Sequence, residues 1–197
     1  MTPVAALFVR QDSVYKTMPG VDAWDEARDA RRWPGGCPVV AHPPCRLWAS
    51  LRTKAKAPAE EKELARWAIE QVRRWGGVLE HPWLSTLWDE YNLRPLNGKR
   101  RRDYMGGFLL PTDLFSFGFP AEKRTGIYVC GVDPSEVPAL PLRLGEATHT
   151  IGLWSGRDRA TCRPSIPKSM FDQTPAAMAH WLVDLARRCR TELQRAA

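Results

Sequence analysis

Apolar positions fall in short runs separated by turn residues, broken by two stretches of helical spacing. Residues 4–9 (VAALFV) are continuously apolar, which predicts a strand buried on both faces. The segment QDSVYKTMPG closes in a Pro-Gly turn. The acidic and basic residues 22–33 (DAWDEARDARRW) then predict a short helix ended by Pro34, Gly35 and Gly36. Residues 38–41 (PVVA) predict a second strand that runs directly into His42-Pro43-Pro44-Cys45. Over residues 58–75, Leu64, Trp67, Ala68, Val72 and Trp75 recur at helical spacing. Pro58 suits a first turn, Glu60, Glu61 and Glu63 complement the amino end of the helix dipole, and Arg73 and Arg74 its carboxyl end. Gly76-Gly77 stops this helix, and Val78-Leu79 predicts a short buried strand ending at Glu80-His81-Pro82.

The stretch at about 83–113 is irregular, basic and rich in Gly and Asn, and predicts a long loop or small insertion. Glu122-Lys123-Arg124-Thr125 leads into a further strand at 126–130 (GIYVC). Thr174 as cap and Pro175 in the first turn open a last amphipathic helix through Leu193. Strand, helix, strand, long loop, strand, helix is the order of a single open α/β sheet, in which ligands collect at the carboxyl ends of the strands. Three chemically marked segments fall at strand ends: HPPC, EHP and EKRT.

With 197 residues the chain is expected to form one domain. It has no apolar run of membrane-spanning length, and its first residues are too soon charged for a signal peptide, so a soluble cytoplasmic protein is expected. The net charge of +7 favours polyanionic partners, and it is concentrated in Lys99-Arg100-Arg101-Arg102 and in Arg187, Arg188, Arg190 and Arg195. The second group follows an apolar helical stripe and suits a solvated helix end. Nine Trp is an unusual number; most read as core or half-buried surface, and the rest could line a protein interface or a base-stacking surface. The five Cys (Cys37, Cys45, Cys130, Cys162 and Cys189) form no CxxC pair, which argues against a structural zinc site and fits a reducing compartment.

Cys45 is the candidate nucleophile. Two prolines hold the chain extended before it, and a helix starting after it would help to ionise the thiol. The alternative is a small buried hydrophobe. Glu80 follows two apolar residues; loss of solvent there would raise its pKa and make it a proton donor, whereas a salt bridge to an Arg is the plainer reading. His42 and His81 with Cys45 lack the spacing of a metal site, so no metal is expected. His149 and His180 read as surface and helix-face residues.

Together these segments resemble the cytosine-5 DNA methyltransferase superfamily, especially short relatives from phages and prophages. Pro44-Cys45 is similar to that family's Pro-Cys loop, and Glu80-His81-Pro82 to its Glu-Asn-Val or Glu-Asn-Pro strand end. Phe117-Gly118-Phe119-Pro120-Ala121-Glu122-Lys123-Arg124 is similar to its Tyr-Gly-x-Pro-Gln-x-Arg-x-Arg segment. The resemblance implies a Rossmann-like, methyltransferase-type sheet with helices on both faces and a reduced recognition region. It implies that Cys45 adds to carbon 6 of a pyrimidine, that Glu80 protonates ring nitrogen 3, and that Lys123 or Arg124 holds the base carbonyl or its phosphate. It further implies His42, Pro44 and His81 as substrate contacts, and S-adenosylmethionine held near Phe8, Asp22 and Asp25; Arg100 and Arg101 are expected as substrate contacts from their place in a basic cluster among loop-forming residues, where they could grip a backbone. The family's Phe-x-Gly-x-Gly turn has no counterpart in Leu7-Phe8-Val9-Arg10-Gln11-Asp12, which contains no glycine. Three readings follow: a pyrimidine carbon-5 methyltransferase-like enzyme acting on DNA or a nucleotide, an enzyme with another one-carbon donor or none, and a catalytically silent DNA-binding protein of the same fold.

Overall fold

The structure, a computed structural model, describes residues 2–152 and 163–190. Cys162 and Arg195 lie outside the described residues, and the last helix, expected through Leu193, already ends at Arg188, where Cys189 turns extended. Six strands form one open mixed sheet: β1 (Val4–Val9), β2 (Val21–Asp25), β3 (Val39–Ala41), β4 (Gly77–Pro82), β5 (Phe108–Asp113) and β6 (Arg124–Cys130), in the order β2-β1-β3-β4-β6-β5. The first four in that order are mutually parallel, and β6 runs antiparallel to both β4 and β5.

Helices cover both faces, which is why β1 is apolar without alternation. Ala5 and Leu7 point to the side of α1 (Glu61–Trp75), where Ala65, Ala68, Ile69 and Val72 meet Val39, Ala41 and Leu79. Val4 and Ala6 point to the other side, where α3 (Ala176–Arg188) buries Met178, Leu182, Val183 and Leu185 against Val40, Val78, Ile127 and Val129. This is a Rossmann-like α/β arrangement. The sheet's carboxyl edge is left open between the two helical layers.

Four expectations change. Residues 21–25 form the outer strand β2, not the start of a helix, and only a 3-10 turn at Ala30–Arg32 follows. The supposed loop at about 83–113 contains the short helix α2 (Leu87–Glu90) and all of β5. α1 begins at Glu61, three residues after Pro58. Pro175, with an extended backbone, occupies the cap of α3, and no side chain caps that helix.

Two contacts fix the inner strands. Gly77 has φ +127°, and a Cβ there would sit 2.0 Å from the Val39 carbonyl oxygen. Gly77→Ala is therefore expected to destabilise the fold by about 3 kcal/mol or more, through backbone strain and overpacking together. Urea unfolding at neutral pH measures the loss. Elsewhere, Arg73 of α1 donates to Asp103 Oδ2 at 2.8 Å, and Tyr128 Oη donates to the same oxygen at 2.7 Å. Asp103 Oδ1 accepts the backbone N–H groups of Met105 and Gly107. This buried ion pair pins the turn before β5 to the core. On β5 itself, the exposed Pro111 stands in the middle of the sheet's outermost strand.

Candidate active site

A cleft of about 1160 Å³ opens at the carboxyl edge of the parallel strands. Its walls come from the ends of β1 (Phe8, Val9), β2 (Asp25) and β4 (Glu80, His81), and from the segment His42–Arg46 that leaves β3. Because β6 is antiparallel, its amino end lies at this same edge, with Pro82 paired to Thr125. Lys123 therefore enters the cleft from the start of a strand. The mouth is closed by Asp172 to Ala176, the approach to α3. Carboxylates outnumber Lys and Arg side chains on these walls eight to four, although the chain as a whole carries +7.

A hydrogen-bonded chain crosses the floor. Glu80 Oε1 accepts from Thr125 Oγ1 at 2.5 Å, and Glu80 Oε2 lies 3.3 Å from His42 Nδ1. His42 Nε2 lies 2.9 Å from the hydroxyl of the fully buried Tyr15. With Glu80 ionised, Nδ1–H donates to the carboxylate and Nε2 accepts from Tyr15, which assigns the tautomer from its partners. Burial, reinforced by the Glu80 charge, pushes the Tyr15 phenol well above its ordinary pKa, so it remains a neutral donor.

The protonation states differ from the sequence expectation. Burial alone would raise the Glu80 pKa, but the hydrogen bond from His42, the Lys123 charge and the Thr125 hydroxyl outweigh it and bring it down to about 2. Glu80 is a carboxylate here, not a resident acid. Cys45 is pushed up to about 11, first by burial and then by Glu80, with Lys123 opposing. No helix follows Cys45; its carbonyl accepts the Trp48 and Ala49 N–H groups in a turn, so helix-end assistance to the thiolate is absent. His81 is buried with its ring edge-on to Trp88 and Nδ1 2.7 Å from Ser85 Oγ; burial lowers its pKa to about 4, so it is a neutral part of the wall.

The structure brings Cys45, Glu80, His42, Pro44, His81, Lys123, Phe8 and Asp25 into this one cleft. It does not bring the others. Arg124 is exposed and off the cleft wall, because alternation along β6 turns it away from the side of Lys123 and Thr125. Arg100 and Arg101 lie in the turns before β5, at the amino edge of the sheet. Asp22, also off the wall, is engaged by Trp24 Nε1 and Arg28. Asp25 already accepts Lys16 Nζ at 2.6 Å and the Arg28 N–H.

Sequence reasoning missed Tyr15, Thr125, Asp172 and Glu26. Glu26 is the residue directly after β2, lines the cleft, and carries no ion pair among the described residues. An acidic residue at the end of the second strand is where Rossmann-like sheets bind ribose hydroxyls; that signal was hidden while residues 22–33 read as a helix. Phe8 also departs from expectation: it adopts φ +59° at the end of β1, a left-handed conformation that normally favours glycine. Among the described residues no cluster of three or more His, Cys, Asp or Glu side chains is placed to hold a metal, and no helix is long and apolar enough to cross a membrane.

Fold and cleft define an open α/β protein with a large cleft at the carboxyl edge of its parallel strands. No protein-family model matches the chain, and no curated protein matches its sequence.

Proposed function

We propose that the cleft performs carbon-5 chemistry on a pyrimidine, cytosine first among them, with Cys45 as nucleophile and Glu80 as the group facing ring nitrogen 3. The observation that carries this reading is the convergence of Cys45, Glu80 and Lys123, from three separated segments, on one cleft wall. The Cys45 thiolate adds to carbon 6, which makes carbon 5 electron-rich. Since Cys45 starts as a thiol and Glu80 as a carboxylate, the thiol proton passes to Glu80, which gives it to nitrogen 3 as the sulfur–carbon bond forms and takes it back when the adduct collapses. His42, which Tyr15 holds in register, orients the carboxylate through its Nδ1–H. Lys123, whose Nζ donates to the Phe171 carbonyl at 2.8 Å, is near enough to lower both side chains' pKa values and so to balance charge on the base.

S-adenosylmethionine fits the β1–β2 side of the cleft in part. Glu26 is free to accept ribose hydroxyls, and the left-handed Phe8 provides a turn there without glycine. When bound, this cofactor would supply an electrophilic methyl group. The excess of carboxylates on the walls favours a cationic ligand.

A second reading is a catalytically silent binding protein. What favours it is that the free cleft holds Cys45 as a thiol and Glu80 as a carboxylate, each the reverse of its working form.

The test is mass spectrometry of the protein after incubation with S-adenosylmethionine and either an oligonucleotide carrying 5-fluorocytosine or the free 5-fluorocytosine nucleotide. A covalent adduct with either, absent in Cys45→Ser, supports the enzyme and tells polymer from monomer. No adduct with either leaves the silent binder. Tyr15→Phe is expected to keep the adduct but slow its formation about tenfold and alter its pH profile, because only the orientation of His42 is lost; an unchanged profile would remove Tyr15 and His42 from the mechanism.

A further inference from the structure

The cationic turns before β5 lie at the other end of the sheet from the cleft, and their construction is specific. Leu96 and Lys99 exchange backbone hydrogen bonds of 3.0 and 2.9 Å around Asn97 (φ +51°) and Gly98 (φ +71°), a tight two-residue turn with both central residues left-handed. Arg102 then pairs with Phe108, and the Arg100 guanidinium lies 4.9 Å from the Phe108 ring centroid. Lys99, Arg100 and Arg101 are exposed, and none has a carboxylate within ion-pair distance among the described residues; Arg102 reaches Asp133 at 3.3 Å. Tyr104, at the tip of the next turn, is 78% exposed. The buried Arg73 guanidinium lies 4.7 Å from its ring centroid and is held in turn by Asp103. Met105, the residue after Tyr104, is exposed as well, as is Leu96 in the first turn.

A charged loop that served only solubility would need no fixed aromatic ring. Here a phenol ring is held against the core by a buried ion pair and left open to solvent, three residues along the chain from the uncompensated Arg101. Cations that follow a phosphate backbone, with an aromatic ring on which a base stacks, are the two components of a single-strand site. These exposed cations lie away from the carboxylate-rich cleft, at an edge that a polyanion can approach. We infer that Lys99, Arg100 and Arg101, together with Tyr104, form a binding site for single-stranded nucleic acid, separate from the cleft. β4 spans six residues between the two edges, which puts about 20 Å between this site and Cys45. A nucleotide stacked on Tyr104 is therefore not the one in the cleft, and binding here does not depend on the chemistry proposed there.

The experiment is fluorescence anisotropy of a labelled oligodeoxythymidine of about 20 nucleotides, titrated with the full chain from about 50 to 200 mM salt. Tyr104→Ala is expected to weaken binding about tenfold, and Tyr104→Phe to leave it unchanged. Combined Lys99→Ala, Arg100→Ala and Arg101→Ala should weaken binding at least about tenfold and reduce the slope of log K against log salt by about 2. Combined Arg100→Lys and Arg101→Lys should keep binding within about threefold, which separates lost charge from lost folding. Cys45→Ser should bind as the wild type does. The inference is overturned if the wild type does not bind the strand, if Tyr104→Ala binds as tightly as the wild type, or if a duplex of equal length binds more tightly than the single strand.

Discussion

Adduct formation by Cys45 is expected to accelerate about tenfold for each pH unit between pH 7 and about 10, measured as the rate of mass gain on a 5-fluorocytosine substrate without S-adenosylmethionine. The thiolate is the attacking species. With the thiol pushed up to about 11, only about one molecule in 10⁴ carries it at pH 7, so the rate follows that fraction until the thiol titrates. Cys45→Ser is expected to lower the rate by about 10³-fold or more and to remove this log-linear rise, since serine has no accessible anion in that range. A cationic ligand seated in the carboxylate-rich cleft would act on the same thiol as Lys123 does, favouring the thiolate. With S-adenosylmethionine present the rise should therefore begin at lower pH. A rate independent of pH from 7 to 10 in the free protein would show that attack by Cys45 is not the step being observed.

Acid is expected to destabilise the protein in two stages, each originating at the carboxyl end of β4. His81 has its pKa lowered by burial from an ordinary 6.5 to about 4. Between those values the unfolded chain binds a proton that the folded chain refuses, so stability is complete above pH 6.5 and is lost as pH falls to 4. At about 1.4 kcal/mol per pH unit the loss is about 3 kcal/mol. Glu80 acts in the next window. Its folded pKa of about 2 lies below an ordinary 4.5, so its contribution is present above pH 4.5 and is lost between 4.5 and 2, again about 3 kcal/mol. Urea unfolding at pH 7, 5.5 and 4 should show the midpoint falling steadily with acid. His81→Gln should flatten the pH 6.5 to 4 portion, and Glu80→Gln should leave that portion intact. A midpoint that does not move between pH 7 and 4 would mean that His81 is protonated in the folded protein.

The parts of the fold written in local pattern were legible in the sequence, and the parts written in pairing were not. The apolar run of β1 and the amphipathic spacing of α1 and α3 each report burial of a single element, and all three elements are found. β2 is an outer strand whose exposed Asp22 and half-buried Ala23 and Trp24 break any apolar run, so its charges suggested a helix. β5 carries Pro111 and becomes a strand only by pairing with β6. The same distinction holds in the cleft. Cys45 and Glu80 were visible because each closely follows a short apolar run, Val39–Ala41 and Val78-Leu79. Tyr15 and Thr125 become visible only when β4 and β6 are in register and the turn after β1 folds back onto His42. Protonation could not be read at all: Glu80 was expected to gain a proton through burial, and three neighbours from other segments reverse that.

Pro111 bears on how the chain avoids joining its own copies. An outermost strand normally presents a row of N–H and C=O groups on which another strand can add. β5 is the outermost strand on its side, and at its middle Pro111 has no N–H to offer. That rim of the sheet is thereby guarded against fibre-like growth by a missing donor.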